Sequence, residues 1–503
     1  MSKIIRRIVF ALILVLTMAA LLASCSKDDG VIEYKPTLGG YEVVGLADKS
    51  ATDVVIPEKF NGKSVVAIGE NAFRGTNIES ISIPTSVKSF GLNAFELCTS
   101  LKKVELVDAA RFADATFANE YANPLWSGAE LYEGGNKIEE LALSSEAVSN
   151  YAYVGAGIKT LNLSGVKTIG NGAFKNCASL SSVNFGDKIE SIGVSAFSEC
   201  GILELALGET VKSVGHSAFS GNASLVSVTL PASITEIPDR AFFGCSSLKN
   251  INLDNITVIG EGAFYECISL ETVKISAKTV NIDEYAFYSC SGLKTLTISE
   301  GSALESICEA AFRGCTALES ANLDAAKSLK TIDKHAFEYC VSLVDLKVPS
   351  SIETLGDWAF ASCSSLDLYV GEGVGYIGNE ENNYVIVYKL VDKERTTVDF
   401  MSGVKFIHQG AFFGEKGVTI VTMQSGVLTM GAQSFAFCTG LKEITIAKTL
   451  KSVGDGAIMG CTSLEKLRFK GNSTQWTDSK SDTYVKKGTN WNYNAASYKI
   501  YYG

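Results

Sequence analysis

Eleven of the 13 cysteines stand in a single phase: Cys98, Cys177, Cys200, Cys245, Cys267, Cys290, Cys315, Cys340, Cys363, Cys438 and Cys461 each follow a marker residue, nearly always aromatic, by three positions. Thiols pair as disulfides, ligate zinc, or attack as thiolates. Zinc requires clustered CxxC or Cys/His spacing, and the chain has neither. A disulfide partner would not tolerate replacement, yet Thr76, Asn222 and Glu415 fill the same phase elsewhere. The pattern predicts a column of free, packed thiols. Cys308 lies out of phase, where Gly is usual, which leaves a surface thiol or another packed side chain.

The other reactive residue types lack a constellation. His216, His335 and His408 fall at three different phases, none beside a nucleophile motif, and each is expected to be solvated or in a turn. Glu70, Asp239, Glu261, Glu284, Glu309, Asp357 and Asp455 share one phase, three before the marker. Carboxylates there suit amide N–H groups and the dipole of a helix start. A calcium ladder is the alternative, but His216, Lys334 and Val194 interrupt the column. No phosphate-binding loop or dinucleotide fingerprint occurs, and nothing selects a carboxylate pair for glycoside hydrolysis. No catalytic residue, metal site or cofactor is expected, and the chain is read as not an enzyme.

What positions these columns is a repeat. Ile169-Gly170-Asn171-Gly172-Ala173-Phe174-Lys175-Asn176-Cys177-Ala178-Ser179-Leu180 returns as Ile259-Gly260-Glu261-Gly262-Ala263-Phe264-Tyr265-Glu266-Cys267-Ile268-Ser269-Leu270. The marker slot is filled by Phe73, Phe95, Phe117, Tyr153, Phe174, Phe197, Phe219, Phe242, Phe264, Phe287, Phe312, Phe337, Phe360, Phe412 and Phe435, with Ile458 closing the series. A fixed period of this length means stacked units, none of which buries its apolar face alone. After each Leu the sequence alternates, as in Leu293-Lys294-Thr295-Leu296-Thr297-Ile298, the signature of a short half-buried strand. Pro84, Pro231 and Pro349 then end strands. The Ala-Phe segment reads as one short helical turn, and the Gly four before the marker (Gly69, Gly170, Gly260, Gly356 and others) as a tight bend or a close approach between coils. The expected fold is a repeat solenoid of α+β class with 22–23-residue coils, short strands on one face and short helical turns on the other.

Residues 1–24 place Lys3, Arg6 and Arg7 before an apolar run, the order of a secretory signal. The run is shorter than the ~20 residues of a spanning helix. Leu22-Ala23-Ser24-Cys25 resembles a bacterial lipobox, which implies cleavage before Cys25 and lipid on it, hence a membrane partner. Ser26-Lys27-Asp28-Asp29 resembles the acidic tag of surface-exposed outer-membrane lipoproteins. Loss of the leader moves the formal charge from -11 to -14, and with no basic stripe nucleic acid is not an expected partner.

The repeat resembles the BspA-like leucine-rich-repeat family of bacterial surfaces. The resemblance rests on the recurring Ile-Gly-x-x-Ala-Phe-x-x-Cys-x-x-Leu, on Val54-Val55-Ile56-Pro57 with Asn61-Gly62-Lys63, and on Phe469-Lys470-Gly471 with Trp476 near the end. It implies a right-handed leucine-rich-repeat superhelix and, in some members, adhesion to host matrix proteins or other cells. The expected layout is a lipoprotein signal peptide over 1–24, a lipidated flexible tether over 25–36, a solenoid over 37–463 and a C-terminal cap over 464–503. Irregular insertions occupy about 118–135 and 371–401, either emerging on a binding face or packing as degenerate coils.

The outward strand positions are small and polar, and Thr229, Asn250, Asn252, Thr272, Lys274, Thr295, Thr297, Asn322 and Lys347 are the candidate partner-binding residues. They favour an extracellular protein, host or neighbouring-cell, as partner. The alternatives are a glycan-binding accessory lipoprotein of a nutrient-uptake system, using the aromatic insertions to hold polysaccharide, and a passive surface spacer.

Overall fold

The computed structural model describes residues 30–481 and 483–503 together with the backbone of Ser26 and Lys27. The expected leader and Cys25 lie outside the described residues. Two compact units result, Met1–Ile234 with Arg240–Ile251 and Thr235–Asp239 with Asn252–Gly503. The chain is a repeat solenoid of about 19 coils of roughly 23 residues.

Each regular coil contributes two short strands to two parallel ladders. In the second unit one ladder joins Thr272–Ile275, Thr295–Ile298, Ser320–Asn322 and Asp345–Lys347; the other joins Glu236–Ile237, Val258–Ile259, Asn281–Ile282, Ser306–Ile307, Thr331–Ile332 and Thr354–Leu355. The first unit repeats the arrangement, for instance through Glu140–Ala142, Thr160–Asn162 and Ser182–Asn184 beside Ala147–Val148, Thr168–Ile169, Ser191–Ile192 and Ser213–Val214. Alternation sends Val273, Leu296, Ala321 and Leu346 inward. Strands therefore occur on more than the one expected face.

Among the described residues no Ala-Phe segment forms a helical turn, and the α+β reading is corrected. Among the described residues the one α-helix is Ser473–Thr477, capped by reciprocal hydrogen bonds between Asn472 and Gln475. The Ala-Phe segment is instead a corner of successive turns. Around Phe287, Ala286, Tyr288 and Cys290 donate three residues back, to Asp283, Tyr285 and Phe287. The intervening amides of Tyr285, Phe287 and Ser289 donate to the next coil, at Glu309, Ala311 and Arg313, over 3.0, 2.7 and 2.7 Å. An α-helix needs every amide aimed four residues back; here every second one is aimed at a neighbour.

Two left-handed residues per coil make that possible. They lie two before and two after the marker, as in Ser195 and Glu199 (φ 52 and 58) or His335 and Tyr339 (φ 57 and 63). Left-handed backbone costs a non-glycine residue roughly 1–2 kcal/mol, repaid where it satisfies an amide that burial would otherwise orphan. The Gly four before the marker does not bend the chain; it admits a neighbour. A Cβ on Gly356 would stand 2.2 Å from the Lys334 amide nitrogen.

The marker rings fill the interior in offset stacks. Phe264–Phe287, Phe287–Phe312 and Phe312–Phe337 have centroids 5.0, 5.1 and 5.1 Å apart and planes within 12°. Tyr153, Phe174, Phe197, Phe219 and Phe242 do the same in the first unit. Phe117 leaves the series: it sits in strand Thr116–Phe117, stacked on Phe90 at 4.7 Å, and Ala122 takes the corner slot.

Other expectations change. Part of the stretch expected as a flexible tether is strand, Ile32–Thr37 pairing with Gly40–Leu46 while Tyr34 stacks on Phe60 at 4.4 Å. The closing segment continues the ladder, with Ile458 donating to Trp491 at 2.7 Å and Trp476 buried between Phe469 and Trp491.

Candidate functional site

The thiols are buried, as their phase implies, and they also do a job the sequence does not show. Within a unit they donate to the marker carbonyl of the preceding coil: Cys290 to Phe264, Cys315 to Phe287, Cys340 to Phe312 and Cys363 to Phe337, over 3.1–3.3 Å. Burial pushes the Cys290 thiol up to about 12, which keeps the donating proton in place. Two of the three replacements are donors as well, Thr76 to the marker of its own coil, Phe73, at 2.7 Å and Asn222 to Phe197 and Phe219 at 2.8 Å each, whereas the Glu415 carboxylate accepts from Lys393. A protonated thiol held this way is neither a nucleophile nor a ligand.

Both interruptions supply the same donor from an aromatic side chain. Trp126 Nε1 donates to the Phe95 carbonyl at 2.7 Å, and Tyr388 Oη donates towards the Phe360 and Cys363 carbonyls at 3.1 and 3.2 Å. Around Tyr388, strands Val374–Ile377 and Ile386–Leu390 run antiparallel, and the second continues the ladder through Phe406–Ile407. Val374, Tyr376, Val387 and Leu390 belong to the buried core. These stretches pack as irregular coils.

Of the acids three before the marker, Asp239, Asp357 and Asp455 accept amides, though across coils: Asp239 Oδ1 takes the Glu261 amide at 3.0 Å, and Asn171 in the same column takes that of Val194 at 2.8 Å. Cys308 is half-buried beside Asp283 and Glu284, the three donor atoms within 4.8 Å of one another. His216 is exposed in a turn, and His335 lies in a turn with Nδ1 2.8 Å from Glu338. His408 departs from expectation. It is buried against the Tyr388 ring at 4.9 Å, Nε2 has no protein partner, and burial pulls the imidazole down to about 4.

The candidate strand residues divide. In the first unit Thr229 and Asn250 are exposed, Asn250 opposite Ser227. In the second, Thr272, Thr295, Ser320 and Asp345 form one in-register column, and Lys274 stands opposite Thr297. Asn252 is exposed but lies beyond strand Asn250–Ile251. Asn322 is occupied, its side chain bonded to the Ile298 amide and carbonyl at 2.7 and 3.2 Å. Lys347 pairs with Glu380 at 3.3 Å.

Coil length, ladder register and the recurring Ile-Gly-x-x-Ala-Phe-x-x-Cys-x-x-Leu coincide with the model of the BspA type leucine rich repeat region, which matches residues 49–123, 146–256, 235–367 and 392–480. The chain belongs to this family. Among solved structures, this BspA-type chain is similar to a leucine-rich repeat protein from Bacteroides ovatus, at 22% identity and a TM-score of 0.51 over 92% of this chain and 99% of that one. A leucine rich cell surface protein from Faecalibacterium prausnitzii matches at 20% identity and a TM-score of 0.46 over 68% of this chain and 93% of that one. Such identities speak for the fold alone. No curated protein matches the chain. What the phases alone did not mark is a set of aromatic residues on the corner of the second unit, although Tyr265 and Tyr288 both follow a marker directly.

Proposed function

We propose that this BspA-type protein is a lipid-anchored surface protein that holds an extended protein partner, from a host matrix or a neighbouring cell, along its strand face. The observation that carries the reading is the register of the outward columns: Thr272, Thr295 and Ser320 stand in one row and Lys274 and Thr297 in another. Rows at a strand spacing of ~4.8 Å offer a partner many weak contacts in series. The family's protein-interaction character supports it, and Leu22-Ala23-Ser24-Cys25 supports the anchor. The polysaccharide reading has less support, because Trp126, Tyr376 and Tyr388 direct their rings or polar tips into the interior.

Replacing Thr272, Lys274, Thr295 and Thr297 together by alanine in the full chain abolishes capture of matrix proteins while leaving the melting temperature unchanged. Retained capture would remove this face from consideration. Cys25→Ala abolishes incorporation of labelled fatty acid and releases the chain from the membrane fraction; continued labelling would refute the anchor.

A further inference from the structure

The corner of the second unit carries a surface separate from the strand face. Tyr265 stacks on Tyr288 with centroids 4.6 Å apart, and Tyr285 tilts against Tyr288 at 5.9 Å. The Arg313 guanidinium lies over the rings of Tyr288 and Tyr339, at 5.9 and 5.6 Å, and its Nε meets Glu338 at 2.8 Å. Glu338 also faces His335, whose ring runs parallel to that of Trp358 at 6.4 Å. Contacts therefore pass from coil to coil between Tyr265 and Trp358.

Corner packing does not account for these side chains. Tyr339 and Trp358 are 47% and 41% exposed. With Tyr285 and His335 they occupy left-handed backbone, where other coils of this unit place Gly262, Gly410 and Gly456 at no steric cost. The exposed faces of Tyr339 and Trp358 add little to the interior and are open to a partner.

The flank of this row is acidic. Asp283 and Glu284 directly precede Tyr285, Glu309 precedes Ala310, and Asp357 precedes Trp358, with Lys334 before His335 the one cation in that phase of the second unit. Burial first, then the like charges of Glu284, Asp239, Glu236 and Glu261, push the Asp283 carboxyl up. Asp283, Glu284 and Glu309 have no lysine or arginine within ion-pair distance among the described residues.

We propose that this corner docks a basic, arginine-rich segment of a protein partner, its guanidinium groups lying on the rings and meeting the adjacent carboxylates. Arg313 is the pattern already in place: a planar cation over two tyrosines, held by a glutamate. Arginine suits the surface better than lysine because its flat, weakly hydrated cation stacks on rings and bonds carboxylates through a fork. A neutral glycan could use the rings but would leave Asp283, Glu284 and Glu309 without a cation. The inference is independent of the strand-face reading.

The test titrates the full chain with a labelled oligo-arginine peptide, an oligo-lysine peptide of equal length, and dextran as a neutral glycan. Oligo-arginine binds more tightly than oligo-lysine, and dextran does not bind. Combining Tyr339→Asn with Trp358→Asn removes both rings, leaves the charge unchanged and suits left-handed backbone; it weakens oligo-arginine binding roughly tenfold. The fourfold strand-face variant leaves that binding intact. Should the ring variant melt early, Glu284→Gln with Glu309→Gln tests the same surface without touching the rings, and weakens binding severalfold. Equal binding by the ring variant or the glutamine variant, loss in the strand-face variant, or tighter binding of dextran overturns the proposal.

Discussion

Two stretches of the second unit solve one problem with different parts. From Phe287 to Cys363 every coil presents a ring, and a thiol that reaches back to the preceding marker carbonyl. Around residues 371–401 the period fails, yet Tyr388 brings a hydroxyl to the carbonyls of Phe360 and Cys363. What most corners share is a donor of the right reach. Cysteine is one supplier among several, since asparagine, tryptophan and tyrosine also occur in that role.

The largest effect belongs to the regular stretch. Phe312→Ala empties a slot between Phe287 and Phe337 and is expected to cost about 3–5 kcal/mol in chemical denaturation. A cost below about 1 kcal/mol would mean the rings are not the interior mortar.

The coil packed against the irregular stretch carries a pH liability of its own. His408 titrates at about 4 when folded, against 6.5 for the ordinary group, so the unfolded chain takes up the proton first. Stability is complete above about pH 6.5 and falls as pH drops towards 4, by roughly 2–3 kcal/mol from this residue. His408→Gln flattens that part of the stability profile; an unchanged slope would place the imidazole in solvent.

Tyr388→Phe tests the shared requirement directly. It keeps the ring, removes the hydroxyl proton shared by the Phe360 and Cys363 carbonyls, and is expected to cost about 1–3 kcal/mol. Trp126→Phe is the matching change at the earlier interruption. If both were neutral, the equivalence of thiol and aromatic donors would fail.

The finest comparison lies inside one regular rung. Cys315→Thr keeps a donor and Cys315→Val, of similar shape, does not, so the valine variant should be less stable by about 1 kcal/mol. Equal melting curves would reduce the thiol column to space-filling.

Repetition made the columns legible: a side chain that returns in phase must meet its own copy, and the burial of Phe287 or Cys290 follows from counting. The corner was misread because an acid before Ala-Phe looks like a helix start, and nothing in one coil tells an amide aimed backwards from one aimed sideways. A signal for the truth was present two before and two after the marker, where Asn71, Asn93, Gly172, Gly262, Gly75 and Gly155 favour left-handed backbone. The interruptions were illegible for the opposite reason. Once the phase is lost, only three-dimensional register shows that Trp126 meets Phe95 or that Tyr388 meets Phe360. The exposed corner rings escaped notice because their columns are heterogeneous, and the eye follows what repeats.

The lateral amides of the corner connect backbone to backbone and so ignore side-chain identity. Within a unit, any coil offers the same socket upward and the same plug downward, whatever its loops contain. A tandem copying error that doubled one turn, or a deletion that spliced one out in frame, would thus re-close the seam without retuning the neighbours, and lineages can lengthen or shorten such a protein by whole turns.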